Sequence, residues 1–225
     1  MGDSQQPPVI AIDGPSASGK GTVAKLVAQR LGFHYLDSGA LYRLVGLAAQ
    51  RARVNSADEP AVAQLAAALD VRFEGDDIYL NHELVTDAIR AEPVSAAASE
   101  VATLVAVRKA LHKRQHAFRE PPGLVADGRD MGSVVFPDAA VKIYLTAGAE
   151  ERARRRYKQL IEKGMGANMV AILRDIQARD DRDSGRAVAP LQMNSDASLV
   201  DTTNLSIEQA VEAVLARYAV ALRAP

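Results

Sequence analysis

Apolar residues crowd into a short run at positions 8–13, "PVIAID", which ends on glycine and proline, the pattern of a strand buried on both faces. From Lys20 to Leu31, "KGTVAKLVAQRL" sets Val23, Leu26, Val27 and Leu31 at helical spacing before Gly32 stops the run. "FHYL" (33–36) predicts a second strand and "GALYRLVGLAAQR" (39–51) a second helix. Alternation of this kind predicts a parallel sheet covered by helices on both faces.

Residues 52–122 break the rhythm. "DEPAVAQLAAAL" (58–69) is helical, and "VRFEGDDIYLN" (71–81) reads as a small hairpin turning at Gly75–Asp77. Ser95 to Phe118, alanine-rich and then basic, predicts one or two helices, and "PPG" (121–123) closes the block. The strand pattern returns at 124–127, 141–146 and 197–202. Between the last two lie helical stretches at 149–164 and 168–186, joined through "MGA". An amphipathic helix over 206–222 ends the chain, with Ser206 and Gln209 spaced as a capping box. The expected fold class is therefore α/β: a three-layer, doubly wound, five-stranded parallel sheet. Residues 1–51, 123–148 and 187–225 form its core, 52–122 an insertion and 149–186 a helical lid. Ligands of such a sheet belong at the carboxyl ends of its strands.

Composition narrows the function classes. The 225 residues are 48% hydrophobic but only 4% aromatic, so valine, leucine and alanine carry the packing. With 27 basic against 28 acidic side chains the net charge is -1, and no global field recruits nucleic acid or a membrane surface. There is no cysteine, which excludes disulfides and thiolate metal sites. The start "MGDSQQPPV" lacks a basic stretch followed by an apolar core, and no segment has the roughly 18 apolar residues of a membrane span. The expectation is a soluble cytoplasmic protein.

The chemistry begins at "AIDGPSASGKGT" (11–22). Gly14, Pro15, Ser16, Ala17, Ser18, Gly19 and Lys20 keep the G-x-x-x-x-G-K spacing between a strand and a helix, the context that gives this motif its meaning. Glycines let successive N–H groups turn toward phosphate oxygens, and the following helix adds free amides and the positive end of its dipole. Lys20 supplies a mobile charge for a transferring phosphoryl group. Gly21 stands where such loops usually carry a magnesium-binding hydroxyl, and the first hydroxyl is Thr22. Either Thr22 serves from a shifted position, or the metal is held mainly by water and phosphate.

Two further segments point to a small acceptor. "YLDSGALYR" (35–43) follows the second strand and carries Ser38 and Arg43; "ADGRDMGSVVFPDA" (126–139) follows the third and carries Asp127, Arg129 and Asp130. Asp127 reads either as a carboxylate that positions metal-bound water or as a cap on its loop. The basic run Arg152, Arg154, Arg155 and Arg156 reads as a solvated helix face or as part of a hairpin lid with "ARDDRDSGR" (178–186).

"IDGPSASGKGTVAKLVAQRLGFHYLDSGALYR", "VADGRDMGSVVFPDA" and "RDDRDSGRAVAPL" together resemble the bacterial cytidylate kinases, a family of nucleoside monophosphate kinases, over about residues 8–218. The glycine after the loop lysine is a form these enzymes share with adenylate kinases. The resemblance implies a P-loop core, a lid and an enlarged monophosphate-binding insertion. It implies Gly14–Thr22 as the ATP site, with Mg2+ as metal and no protein residue assigned as its ligand. Ser99, Arg108 and Asp130 are implied as cytosine readers, Arg43, Arg129 and Arg186 as a clamp on the acceptor phosphate, and Arg179 and Asp183 as sugar contacts with Ser38 nearby. Lys20, Arg129, Arg186, Arg155 and Arg156 are implied as catalytic, the last two from the lid. The implied partners are ATP and CMP or dCMP, and the implied working state is a monomer. Rival readings are a kinase for uridylate or a sugar-like acceptor, an ATP-dependent switch, and a nucleic-acid protein, which the near-zero charge disfavours.

Overall fold

A computed structural model describes residues 6–162 and 164–223. Most of the N-terminal stretch read above as lacking a leader lies outside them. The chain divides into two compact units, one formed by residues up to Leu36 together with those from Phe118 onward, the other by Asp37–Ala117.

The first unit is built on β1 (Val9–Asp13), α1 (Lys20–Leu31) and β2 (His34–Asp37), the last running into the second unit. After the second unit it continues with β6 (Leu124–Gly128), β7 (Val141–Thr146), α6 (Ala149–Glu162), α7 (Met169–Ser184), β8 (Ser198–Asp201) and α8 (Ile207–Ala221). The strands form one five-stranded sheet in the order β2-β6-β1-β7-β8, with β1 parallel to both β6 and β7, and β7 parallel to β8. Every residue of β1 and β6 is buried, as their uninterrupted apolar runs require, whereas β7 alternates. Val23 and Val27 of α1 and Val211, Val214 and Tyr218 of α8 pack on Ile10, Ile12, Val125, Ile143 and Leu145. The expected capping box on α8 is present, Ser206 accepting from the Gln209 N–H and Gln209 from that of Ser206.

The second unit holds α2 (Ser38–Arg51), α3 (Glu59–Ala68), β3 (Val71–Glu74), β4 (Asp77–Leu80), β5 (Glu83–Leu84), α4 (Glu92–Val101) and α5 (Val105–His116). Helix α2 packs on α4, and α3 on α5. Gly46 lets the first pair close: a Cβ there would lie 3.1 Å from the Ala98 backbone nitrogen and 3.2 Å from the Ala97 side chain. Two details depart from the sequence expectation. The hairpin gains a third strand, β5, through a two-residue turn in which Asn81 and His82 both take positive φ (49° and 66°). That is hairpin-turn geometry without the usual glycine, and a two-residue strand has no periodicity to read. Helix α4 begins at Glu92 rather than near Ser95, because Pro93 sits in its first turn, where no N–H is needed.

Candidate active site

The glycine-rich loop leaves β1 between two strands that pair with it, at the point where the strand order reverses. Gly14 is there for space: a Cβ would fall 1.9 Å from the Leu145 carbonyl oxygen of β7. Ala17 and Gly19 take positive φ (57° and 91°), which curls the loop before α1 begins at Lys20. The Ser18 hydroxyl donates to the Pro15 carbonyl (3.0 Å), as does the Lys20 ammonium (3.2 Å). Both side chains are held against the loop, and the first-turn amides of α1 have no preceding carbonyls to pair with. The Ser16 Oγ is buried with no hydrogen-bond partner, as expected of a group whose partner is a ligand.

Lys20 Nζ stands 3.9 Å from Asp127 Oδ1, and the Tyr35 hydroxyl lies 3.5 Å from Asp127 Oδ2. A Cβ on residue 21 would approach Asp127 Oδ2 to 3.0 Å, so glycine after the lysine makes room for this carboxylate. Thr22, the first hydroxyl, is exposed on the first turn of α1.

Beyond β6 the chain passes Arg129 and Asp130 into a π-type turn, Met131–Val135, closed by the Val135 N–H to the Asp130 carbonyl (3.1 Å) and the Phe136 N–H to that of Met131 (2.7 Å). Asp13, the last residue of β1, accepts from the N–H groups of Met131 and Gly132, both at 2.8 Å. Burial pushes the Asp13 carboxyl up to about 7, the two amides opposing that rise and the nearby Asp130 and Asp127 adding to it. Arg129 donates through Nε to Asp183 Oδ2 (2.8 Å), and Arg186 donates to Asp183 Oδ1. Burial alone would raise the Asp183 carboxyl, but Arg129, Arg186 and Arg179 outweigh it and hold the group below the ordinary carboxylate range. Of the residues predicted from the sequence, Arg129, Arg179 and Arg186 thus surround the buried carboxylate of a fourth, Asp183.

Helices α6 and α7 pack as a hairpin through Ala153, Ile172 and Ile176, and Ala17 at the loop tip packs against the same cluster. The basic run is neither uniformly solvated nor uniformly buried. Arg154 is exposed, whereas Arg152 is buried and forks onto both oxygens of Asp180 (3.1 and 2.6 Å) while donating to the carbonyls of Ala147 (2.9 Å) and Ser16 (3.2 Å). Arg155 donates to the Ser18 carbonyl (3.0 Å) and to the Thr202 hydroxyl (3.0 Å) and carbonyl (2.6 Å). The single hydroxyl proton of Thr202, just past β8, is shared between the Ser18 and Thr146 carbonyls, each 3.0 Å away. Arg156 is half-buried on the same helix. Beside this girder a cavity of about 760 Å³ opens, lined by Gly148, Glu151, Arg154, Leu173, Gln177 and Thr203 among others.

In the second unit, Asp37 caps α2 by accepting from the Ala40 N–H (2.9 Å) and receives Arg43 (2.7 Å). The Arg43 Nε and the Ser99 Oγ are buried without partners. Gln115 donates to the Ser38 hydroxyl (3.1 Å), and the Arg108 guanidinium lies 5.9 Å above the Tyr42 ring.

Asp13, Thr202 and Gln115 were not singled out from the sequence as site residues, and Arg152 was named only within the basic run. Asp13 could have been, as a lone charge closing an otherwise apolar buried strand, and Arg152 as the helical neighbour of Arg155 and Arg156. Thr202 and Gln115 carry no such signal.

A phosphate-cradling loop at the switch point of a parallel sheet, with a lysine on it and a buried arginine cluster beyond the next strand, is the architecture of the P-loop kinases. The cytidylate kinase family model matches residues 10–219. Curated cytidylate kinases are similar along the whole chain: that of Azotobacter vinelandii at 59% identity, covering 96% of this chain and 97% of the relative, and that of Nitrosomonas europaea at 54%, covering 99% and 100%. The Bordetella pertussis cytidylate kinase is 59% identical over 92% of this chain and 93% of its own. The chain belongs to the cytidylate kinase family.

Proposed function

We infer that the protein transfers the γ-phosphoryl group of ATP to CMP, giving ADP and CDP, and that dCMP is a second acceptor. Beyond family membership, the observation that carries this reading is the pairing within one unit of the Gly14–Thr22 loop with the Arg129–Asp183–Arg186 cluster. A donor triphosphate fits the loop: positive φ at Ala17 and Gly19 curls it ahead of the free first-turn amides of α1, and the buried Ser16 hydroxyl lacks a partner. The cavity beside Thr203 then takes the donor nucleoside. Lys20 meets the donor phosphates, and Arg129 and Arg186 hold the acceptor phosphate, joined by Arg43. Arg179 and Asp183 contact the sugar, with Ser38 nearby.

Asp130, Ser99 and Arg108 read the base. Cytosine presents an N4 amine donor where uracil presents an acceptor, so a carboxylate there accepts from cytosine and meets a lone pair in uracil. The acceptor phosphate needs no strong general base, since its second ionisation lies at about 6. Catalysis rests on alignment and on offsetting charge as it moves onto the equatorial oxygens. Among the described residues no group of three or more His, Cys, Asp or Glu could hold a metal. Mg2+, when bound, neutralises charge across the donor phosphates, and Asp127 beside Lys20 is the carboxylate suited to hold its water. Arg155 and Arg156 belong to the α6–α7 hairpin, which excludes water from the phosphates. No helix among the described residues is long and apolar enough to cross a membrane. Small nucleotides are the proposed partners, and a cytoplasmic monomer is the proposed working state.

The test is an acceptor panel of CMP, dCMP, UMP, AMP and GMP with ATP, scored by ADP release. CMP and dCMP should lead; turnover of UMP well above CMP would overturn the roles given to Asp130 and Arg108.

A further inference from the structure

Asp13 has no place in the phosphate-transfer scheme above, yet it joins its two halves. Its backbone enters the phosphate loop at Gly14, and its side chain, 7% exposed, reaches across to the segment that follows β6. Each carboxylate oxygen takes one N–H, from Met131 and from Gly132. These are the first two amides of the π-type turn whose opening carbonyl belongs to Asp130, so the carboxylate caps that turn from another strand. Asp130 is itself buried, and it opens this turn, so the capped amides fix the backbone from which its side chain leaves.

We propose that Asp13 is a positioning residue for acceptor selection, fixing the Asp130 backbone against the phosphate loop so that the Asp130 carboxylate meets the cytosine amine in register. The inference rests on Asp130 being the base reader. Two convergent N–H donors demand a double acceptor. An asparagine offers one oxygen and turns an NH2 toward the second amide, leaving that amide unpaired. Protonation of Asp13 removes one acceptor in the same way. The groups facing Asp13 are Asp127 on β6, Arg129 and Asp130 beyond it, and Tyr144 on β7, with Lys20 paired to Asp127.

The experiment compares wild type, Asp13→Asn and Asp130→Ala by steady-state kinetics with CMP and UMP as acceptors, with ATP KM and the far-UV circular dichroism as readouts of loop and fold. For Asp13→Asn the CMP-to-UMP ratio of kcat/KM should fall about tenfold through the CMP KM, with ATP KM changed less than about twofold. In wild type the same ratio should fall as pH drops from about 8 to about 6, through the ionisation of Asp13 near 7. Phosphate ionisation cancels in this ratio, because both acceptors carry the same group, and wild type needs no variant to fold. Loss of CMP and ATP affinity in parallel, or a wild-type ratio flat across that range, would overturn the proposal. If Asp130→Ala leaves the ratio intact, the base-reading assignment fails; if it lowers the ratio while Asp13→Asn does not, only the positioning role fails.

Discussion

Two buried aspartates in the same unit respond to pH with opposite signs. Asp183 is held below the ordinary carboxylate range by its arginines, so it contributes stability above that range and loses it as acid protonates the folded state. Asp13 is raised from 3.8 to about 7, so between these values the folded chain binds a proton that the unfolded chain has released. Its contribution to stability is greatest below about 4, declines as pH rises to about 7 and is flat beyond, a span of about 4 kcal/mol. Urea unfolding midpoints should therefore show the gap between wild type and Asp13→Asn changing across this window in that direction. A pH-independent gap would mean that Asp13 is ionised throughout. Asp183→Asn should behave differently. It leaves Arg129 and Arg186 facing a neutral amide and should cost about 3–5 kcal/mol at neutral pH. Both residues stand in the sequence as ordinary acids; only Asp183 sat in a charged motif that marked it.

At the scale of elements, α6 shows what the sequence left open. The strands of the five-stranded sheet and most helices followed from pattern alone, because β1, β6 and the α1 and α8 faces are strongly apolar. A helix of arginines has no apolar stripe to orient it, so the run 152–156 could be read as a solvated face or as a lid. The structure resolves it residue by residue: Arg152 and Arg155 grip the loop carbonyls of Ser16 and Ser18, and Arg154 faces solvent. These carbonyls pair with a helix that adjoins the loop only after the fold is complete, which no local pattern encodes. Arg152 also anchors α7 through Asp180, one residue from Arg179 and three from Asp183. Arg152→Lys keeps the charge but cannot reproduce the fork, since an ammonium is a single point donor. It should raise ATP KM and lower stability by about 2 kcal/mol, whereas Arg154→Lys should leave stability near wild type, measured by initial rates and urea unfolding. Equal effects from the two variants would mean that the girder is not what holds the loop.

The distribution of unpaired polar atoms across the whole chain separates what folding needs from what binding needs. Partnerless buried groups occur in both compact units: the Ser16 hydroxyl in the first, and the Arg43 Nε and the Ser99 hydroxyl in the second. Each costs about 1–3 kcal/mol of desolvation in the ligand-free protein. A bound nucleotide would supply the missing partners, and that supports the roles proposed for these residues. Ser99 offers the cleanest test, because it is buried on α4 along with Val94, Ala98 and Val101 and its hydroxyl is its only polar side-chain group. Without nucleotide, Ser99→Ala should be as stable as wild type or more stable by about 1 kcal/mol, since an unsatisfied group is removed. With CMP at about 100 times its Kd, wild type should gain about 3 kcal/mol by mass action. At that CMP concentration the variant should gain visibly less, because its affinity is lower. Urea unfolding with and without CMP reads both quantities from one protein. A variant that is less stable alone but stabilised by CMP as wild type is would make Ser99 a packing residue and remove it from the acceptor site.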